Sequence, residues 1–218
     1  MPMCSFNLLQ QLSDIQNTLA SQVVTEDCWQ KLDKVAGTDI SFSKGNDAVA
    51  AAVVMELDSN EVLEKKSIPV TLELPYISGF LGLRESAPTI SVLKKIKTDF
   101  DVLMVNGHGI MHPRSFGLAS QVGMLLDVPT LGVTKRLIKG RYIHQASQRN
   151  QEKETPRLIH DSNRVVGAFF RSNYVSVGHK ISLDTALEVI KRSSIYQTPE
   201  PLRQAHMLAT DTFKEKIA

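Results

Sequence analysis

Asp39 stands in an otherwise apolar stretch, Val35-Ala36-Gly37-Thr38-Asp39-Ile40-Ser41-Phe42. An ionised carboxylate there needs a cation, a cluster of donors or solvent, and for a single carboxylate on a half-exposed strand solvent is the ordinary answer. The apolar run Asp101-Val102-Leu103-Met104-Val105 delivers Asn106-Gly107-His108-Gly109 and then His112-Pro113-Arg114. Ligand sites in open α/β sheets gather at the carboxyl ends of strands, where glycines let a backbone approach a ligand, although the same residues also make an ordinary turn. A second such run ends in Gly132-Val133-Thr134-Lys135, whose ammonium either meets a phosphate or is simply hydrated. Between them, Leu74-Pro75-Tyr76-Ile77-Ser78-Gly79-Phe80-Leu81 is unusually apolar for a connection and runs straight into Arg84-Glu85. It is either a packed loop closing the core or a rigid aromatic wedge that parts or stacks on bases, with Arg84 and Glu85 near a phosphate.

These side chains need elements to hold them. Leu8, Leu9, Leu12, Ile15 and Leu19 recur at helical spacing, predicting an amphipathic helix over 6–21. Residues 35–42, the Lys44-Gly45-Asn46-Asp47 turn signal and residues 48–57 predict a β-hairpin, and 62–70 a third antiparallel strand. A short helix is expected over 87–98, with Lys94, Lys95 and Lys97 as its basic face. Residues 101–105 and 130–134 lack alternation and read as strands buried on both faces, separated by a helix over 115–126. The stretch 141–163 is polar without a firm period and is expected to be a surface excursion. A late hairpin over 165–170 and 174–177, a helix over 183–192 begun by Ser182 and a last helix over 201–216 complete the chain. The sum is one α/β domain over 1–218, whose mixed sheet starts with three antiparallel strands and continues with parallel ones, flanked by helices.

Composition agrees. In 218 residues, 42% hydrophobic and 22% charged suits an ordinary folded domain and excludes a disordered or fibrous chain. The longest apolar run, 48–55, is far short of the roughly 20 residues a bilayer span needs, and the N-terminus carries no secretory pattern. Cys4 and Cys28 allow at most one disulfide and no paired zinc spacing, so a reducing, cytoplasmic setting is expected. With 25 Lys and Arg against 23 Asp and Glu the net charge is +2, which leaves nucleic-acid binding to local clusters. Lys94, Lys95, Lys97, Arg136, Lys139 and Arg141 are candidates for a phosphate track or for a merely solvated surface.

Taken in order, Thr38-Asp39-Ile40-Ser41-Phe42, Pro75-Tyr76-Ile77 with Gly79 and Arg84-Glu85, Gly107-His108-Gly109 with His112-Pro113-Arg114, Gly132-Val133-Thr134-Lys135, and Pro199-Glu200-Pro201 with Arg203 and His206 resemble the endonuclease V family from about Val35 to Ala209. The resemblance implies a ribonuclease H-like fold and a divalent-metal endonuclease, using Mg²⁺ with Mn²⁺ as a substitute. It further implies recognition of inosine in DNA, in some members in RNA, and cleavage of the second phosphodiester bond 3′ to the lesion. By the same resemblance Asp39 is a metal ligand, and Asp39, Glu85, Lys135 and His206 are catalytic. Tyr76 is the wedge, and Ile77, Ser78, Gly79, Leu81, Gly107, Gly109 and His112 belong to the nucleic-acid contact.

Two positions depart from the family pattern. Ser78 replaces a proline, predicting a less rigid wedge. Asn106 replaces a metal-binding aspartate: an amide still offers one oxygen but lacks the charge and cannot chelate through two. Weak metal affinity and slow cleavage are expected, and the competing reading is an inosine-binding protein with little or no cleavage. The Asn106-Gly107 pair is also expected to deamidate, since glycine leaves its nitrogen accessible to the asparagine amide. A small-phosphate metabolic enzyme would use the glycine loop but leaves Asp39, Glu85 and the wedge unexplained. A monomer with no membrane association is expected.

Overall fold

The computed structural model describes residues 3–42, 45–138, 143–144 and 155–217. Helix α1 (Met3–Ala20) precedes the antiparallel strands β1 (Lys34–Phe42), β2 (Asp47–Glu56) and β3 (Val62–Thr71). Helix α2 (Leu81–Leu93), β4 (Val102–Asn106), α3 (Leu118–Leu126) and β5 (Thr130–Thr134) follow. Then come β6 (Ile143–His144), β7 (Arg157–Asp161), β8 (Arg164–Phe170), β9 (Asn173–His179), α4 (Leu183–Arg192) and α5 (Glu200–Ile217). Among the described residues one sheet runs in the order β3-β2-β1-β4-β5-β9-β8-β7-β6.

The sheet is mixed, as expected. β1, β4 and β5 are parallel, and the parallel section ends there, because β9 joins β5 antiparallel and β8, β7 and β6 continue antiparallel. The inner strands are unbroken apolar runs because both faces are covered: β2 is buried from Ala48 to Met55. Alternation along β1 divides the core. Val35 faces the layer of α4 and α5, while Ala36 faces the layer of α2 and α3.

Two predicted elements differ. Helix α2 begins at Leu81 and ends at Leu93, so Lys94, Lys95 and Lys97 follow it and do not form its face. They lie about 20 Å along the helix from its start, where the Lys97 and Thr98 amides donate to Glu64 at the start of β3. Part of the expected excursion is strand: in β7 only Ile159 is fully buried, so one inward residue in a polar segment gives no periodic signal. Lys139, Arg141 and 145–154 lie outside the described residues.

Local chemistry fixes the helix that ends the core. Ser182 caps α4 by accepting the Thr185 amide at 3.1 Å, Asp27 accepts from both residues, and Asp184 and Lys191/Arg192 sit at the ends the helix dipole favours. Gly37 is where α5 meets β1: a Cβ there would sit 2.4 Å from the Pro201 carbonyl. That close approach brings the next turn of α5 over the middle of β1.

Candidate active site

Asp39 and Glu85 are the nucleus. Both are buried, 8% and 9% exposed, one on β1 and the other on the first turns of α2. The Asp39 carboxylate is gripped from two sides: its Oδ1 accepts Nδ2–H of Asn106 at 2.7 Å, and its Oδ2 accepts Nδ1–H of His206 at 2.7 Å. Burial, reinforced by the negative charge of Asp39 and only partly offset by Arg84, pushes the Glu85 carboxyl up to about 7. A buried carboxyl group held beside the Asp39 carboxylate calls for a cation.

Asn106 ends β4 and is paired with Val133, two residues before Lys135, which leaves the end of β5. Lys135 is exposed, and desolvation by the neighbouring strand ends pulls its ammonium below the ordinary lysine range. His206 lies on α5 with its ring 66% exposed. The structure therefore brings Asp39, Glu85, Asn106 and His206 together and sets Lys135 on the adjoining strand end.

The donors fit a hard divalent cation such as Mg²⁺: two crowded carboxylates and, with Nδ2 spent on Asp39, the Oδ1 of Asn106. Among the described residues no three His, Cys, Asp or Glu side chains form a group ready to hold a metal ion.

The loop before α2 is exposed at its tip, with Tyr76 at 65% and Ile77 at 38%, and Ser78 is also exposed. Its base is tied down. Gly79 adopts φ +81°, the left-handed region that favours glycine, and its carbonyl accepts Nη2–H of Arg114 at 2.6 Å, the Nε2–H of His112 at 3.1 Å and the amide of Gln16 at 3.3 Å. Arg84 donates to the Leu74 carbonyl at 2.7 Å and covers the Phe42 ring, closing the loop on itself. Leu81 is half-buried at the start of α2.

Other expected contact residues face inward. The Gly107 amide donates to the Val105 and Val133 carbonyls, and the Gly109 amide to Ser176 Oγ at 2.9 Å. Neither N–H is available to a base, and the nitrogen that deamidation at Asn106 requires is held in the sheet. His112 is 4% exposed; burial, with the nearby charges of Arg114 and His108, lowers its pKa to about 4. A neutral ring suits its bonds, for Nδ1 accepts the Arg114 amide while Nε2 donates to Gly79. Gln16, whose Oε1 also accepts Nε–H of Arg114 at 2.6 Å, belongs to no motif. Its only sequence signal is a glutamine on the helix of 6–21, and the partners 63 and 98 residues away are not readable from spacing.

A model of the endonuclease V family matches residues 17–207. The chain belongs to the endonuclease V family. It is 36% identical over 211 residues to endonuclease V of Dictyoglomus thermophilum, covering 93% of this chain and 90% of that relative. The fold superposes on the catalytic domain of human endonuclease V with a TM-score of 0.87 at 29% identity, over 100% of this chain and 99% of the other. Ciona intestinalis endonuclease V, solved with a 24mer DNA containing an inosine followed by a ribo-adenosine, gives 0.78 at 25% identity over 96% and 99%. The endonuclease V chain described here thus combines the family fold with an amide between β4 and the Asp39 carboxylate.

Proposed function

We propose that this protein is a metal-dependent endonuclease acting on inosine-containing DNA, and on RNA where inosine is accessible. It cuts the second phosphodiester bond 3′ to the lesion and leaves 3′-hydroxyl and 5′-phosphate ends. The observation that carries this reading is the buried Asp39–Glu85 pair beside an exposed tyrosine loop. The Ciona intestinalis relative solved with inosine-containing DNA supports it. One domain, acting as a monomer in the cytoplasm, performs the reaction.

Asp39, Glu85 and the Oδ1 of Asn106 would hold Mg²⁺, with Mn²⁺ as a substitute, and such an ion lowers the proton affinity of water and neutralises phosphate charge. Asp39 fixes the His206 ring through Nδ1, leaving Nε2 to hold or pass a proton at the phosphate. Lys135 brings a positive charge to the phosphate oxygens. Tyr76 occupies the gap left by an extruded base, and hypoxanthine, poorly paired, costs less to extrude.

A second reading has its own support. The Asn106 amide donates to Asp39 and removes one negative charge from the donor set, which favours an inosine-binding protein with little cleavage. An end-labelled oligonucleotide with one deoxyinosine, with or without a following ribo-adenosine, separates the two. We expect a slow nick with Mg²⁺ or Mn²⁺ and none in chelator. Binding without any nick, alongside nicking by Asn106→Asp, would establish the second reading, and indifference to inosine would refute both.

A further inference from the structure

Tyr196 is 63% exposed and Ile195 62%, in the connection between α4 and α5. Exposed aromatic side chains are usually tethered loosely, but this one is braced. The Arg203 guanidinium lies over one face of its ring at 5.3 Å, and Arg203 is itself fixed by two 2.8 Å bonds to the buried carboxylate of Glu200. The connection is fastened to the turn between β8 and β9, with Asn173 Nδ2 donating to the Gln197 carbonyl at 2.6 Å and Arg171 to the Ser194 carbonyl at 3.0 Å.

The location is informative. Helix α5 crosses the sheet from β1, where Pro201 meets Gly37, to β3, where the Thr212 hydroxyl meets Ser67. Pro201 already lies on β1, so the connection before it lies toward β4 and β5, the strands whose ends carry Asn106 and lead to Lys135. Arg203, His206 and Met207 share one face of α5, so the guanidinium that braces the ring belongs to a residue about one helical turn from the histidine on Asp39. The turn that anchors the connection adjoins Thr134, which pairs with Tyr174. In strand order Tyr76, on the loop leaving β3, is on one side of Asp39, and Tyr196, fastened to β9, is on the other.

We infer that Tyr196 is a second stacking platform, which takes an unpaired base of the inosine-bearing strand on the 3′ side of the cut. The 3′ assignment rests on the function proposed above: with the lesion at the Tyr76 loop and the cut at Asp39, the strand continues 3′ toward Tyr196. The chemistry fits a nucleobase, because a cation lies over the ring while most of the side chain is exposed, and every base offers a π-face to such a surface. The guanidinium is neutralised by Glu200, so stacking dominates over phosphate attraction.

The test measures binding in chelator, so that no strand is cut, to two single-stranded oligonucleotides carrying one inosine. One ends at the scissile position and the other extends several nucleotides 3′ of it. We expect Tyr196→Ala to weaken binding of the extended strand about tenfold and to leave the truncated strand unchanged, and Tyr196→Phe to behave like the unaltered chain on both. An unchanged affinity for the extended strand, or an equal loss on both strands, overturns the inference. Matched strands with adenine in place of inosine test the underlying function separately: loss of inosine preference refutes that function, whereas the dependence on 3′ length reports on Tyr196 alone.

Discussion

Asn106 donates a hydrogen bond to Asp39 at the position where the motif resemblance implies a carboxylate. Asn106→Asp replaces that bond by like-charge repulsion beside a pair in which Glu85 already titrates at about 7. Without metal the variant should lose about 1–2 kcal/mol of stability, and Mg²⁺ should restore it. Thermal unfolding with and without Mg²⁺ measures this, and an equal Mg²⁺ response in both proteins would count against residue 106 as a ligand of the ion. Cleavage at limiting Mg²⁺ should rise at least about tenfold in the same variant. His112 sets a different pH dependence. Its folded pKa, about 4, lies below the ordinary value of about 6.5, so the unfolded chain takes up the proton first and stability rises with pH. The contribution is complete above about pH 6.5 and falls by about 3 kcal/mol as pH drops toward 4. Denaturant unfolding at pH 7 and 4.5 should show a smaller difference in His112→Gln. The types and order of Asp39, Glu85, Asn106, Lys135 and His206 were legible in the sequence. That Asn106 spends its amide on Asp39, and that His112 turns away from solvent, depends on distances that spacing does not encode.

At the scale of elements, the loop of Tyr76 is held by α1, which carries no motif. Gln16 joins Arg114 to Gly79, so Gln16→Ala should cost about 1–2 kcal/mol, because Arg114 loses a buried partner. Hydrogen exchange should then quicken at the amides of 77–80 while those of β4 keep their protection. Unchanged exchange in the loop would show that α1 does not restrain it. The strands β1, β2, β4 and β5 were legible because a strand covered on both faces is a plain apolar run. The start of α2 was not, because the helix begins at the end of the apolar loop without a side-chain cap. β7 escaped detection because it buries Ile159 alone in a polar setting.

For the molecule as a whole, two basic groups among the described residues stand at opposite ends of the sheet. Lys94, Lys95 and Lys97 lie beyond the far end of α2, near the starts of β1 and β3, while Lys135 and Arg136 stand at the site end. Replacing the three distal lysines by alanine should leave oligonucleotide affinity within about twofold, whereas Arg136→Ala should weaken it and lower the salt slope by about one. A uniform loss in both variants would indicate a track running along α2. The layered sheet was legible from the alternation of strand and helix patterns, but the end at which each lysine emerges follows from helix boundaries that the sequence left open. The backbone under Asn106 is held by the Gly107 amide on Val105 and Val133, so an exchange between asparagine and aspartate there alters charge without altering the path of the chain. Codons for the two residues differ only in the first base, adenine against guanine. Deaminated adenine is read as guanine at replication, so the heritable change that would put a carboxylate at position 106 is the one left behind when hypoxanthine goes unrepaired in the gene.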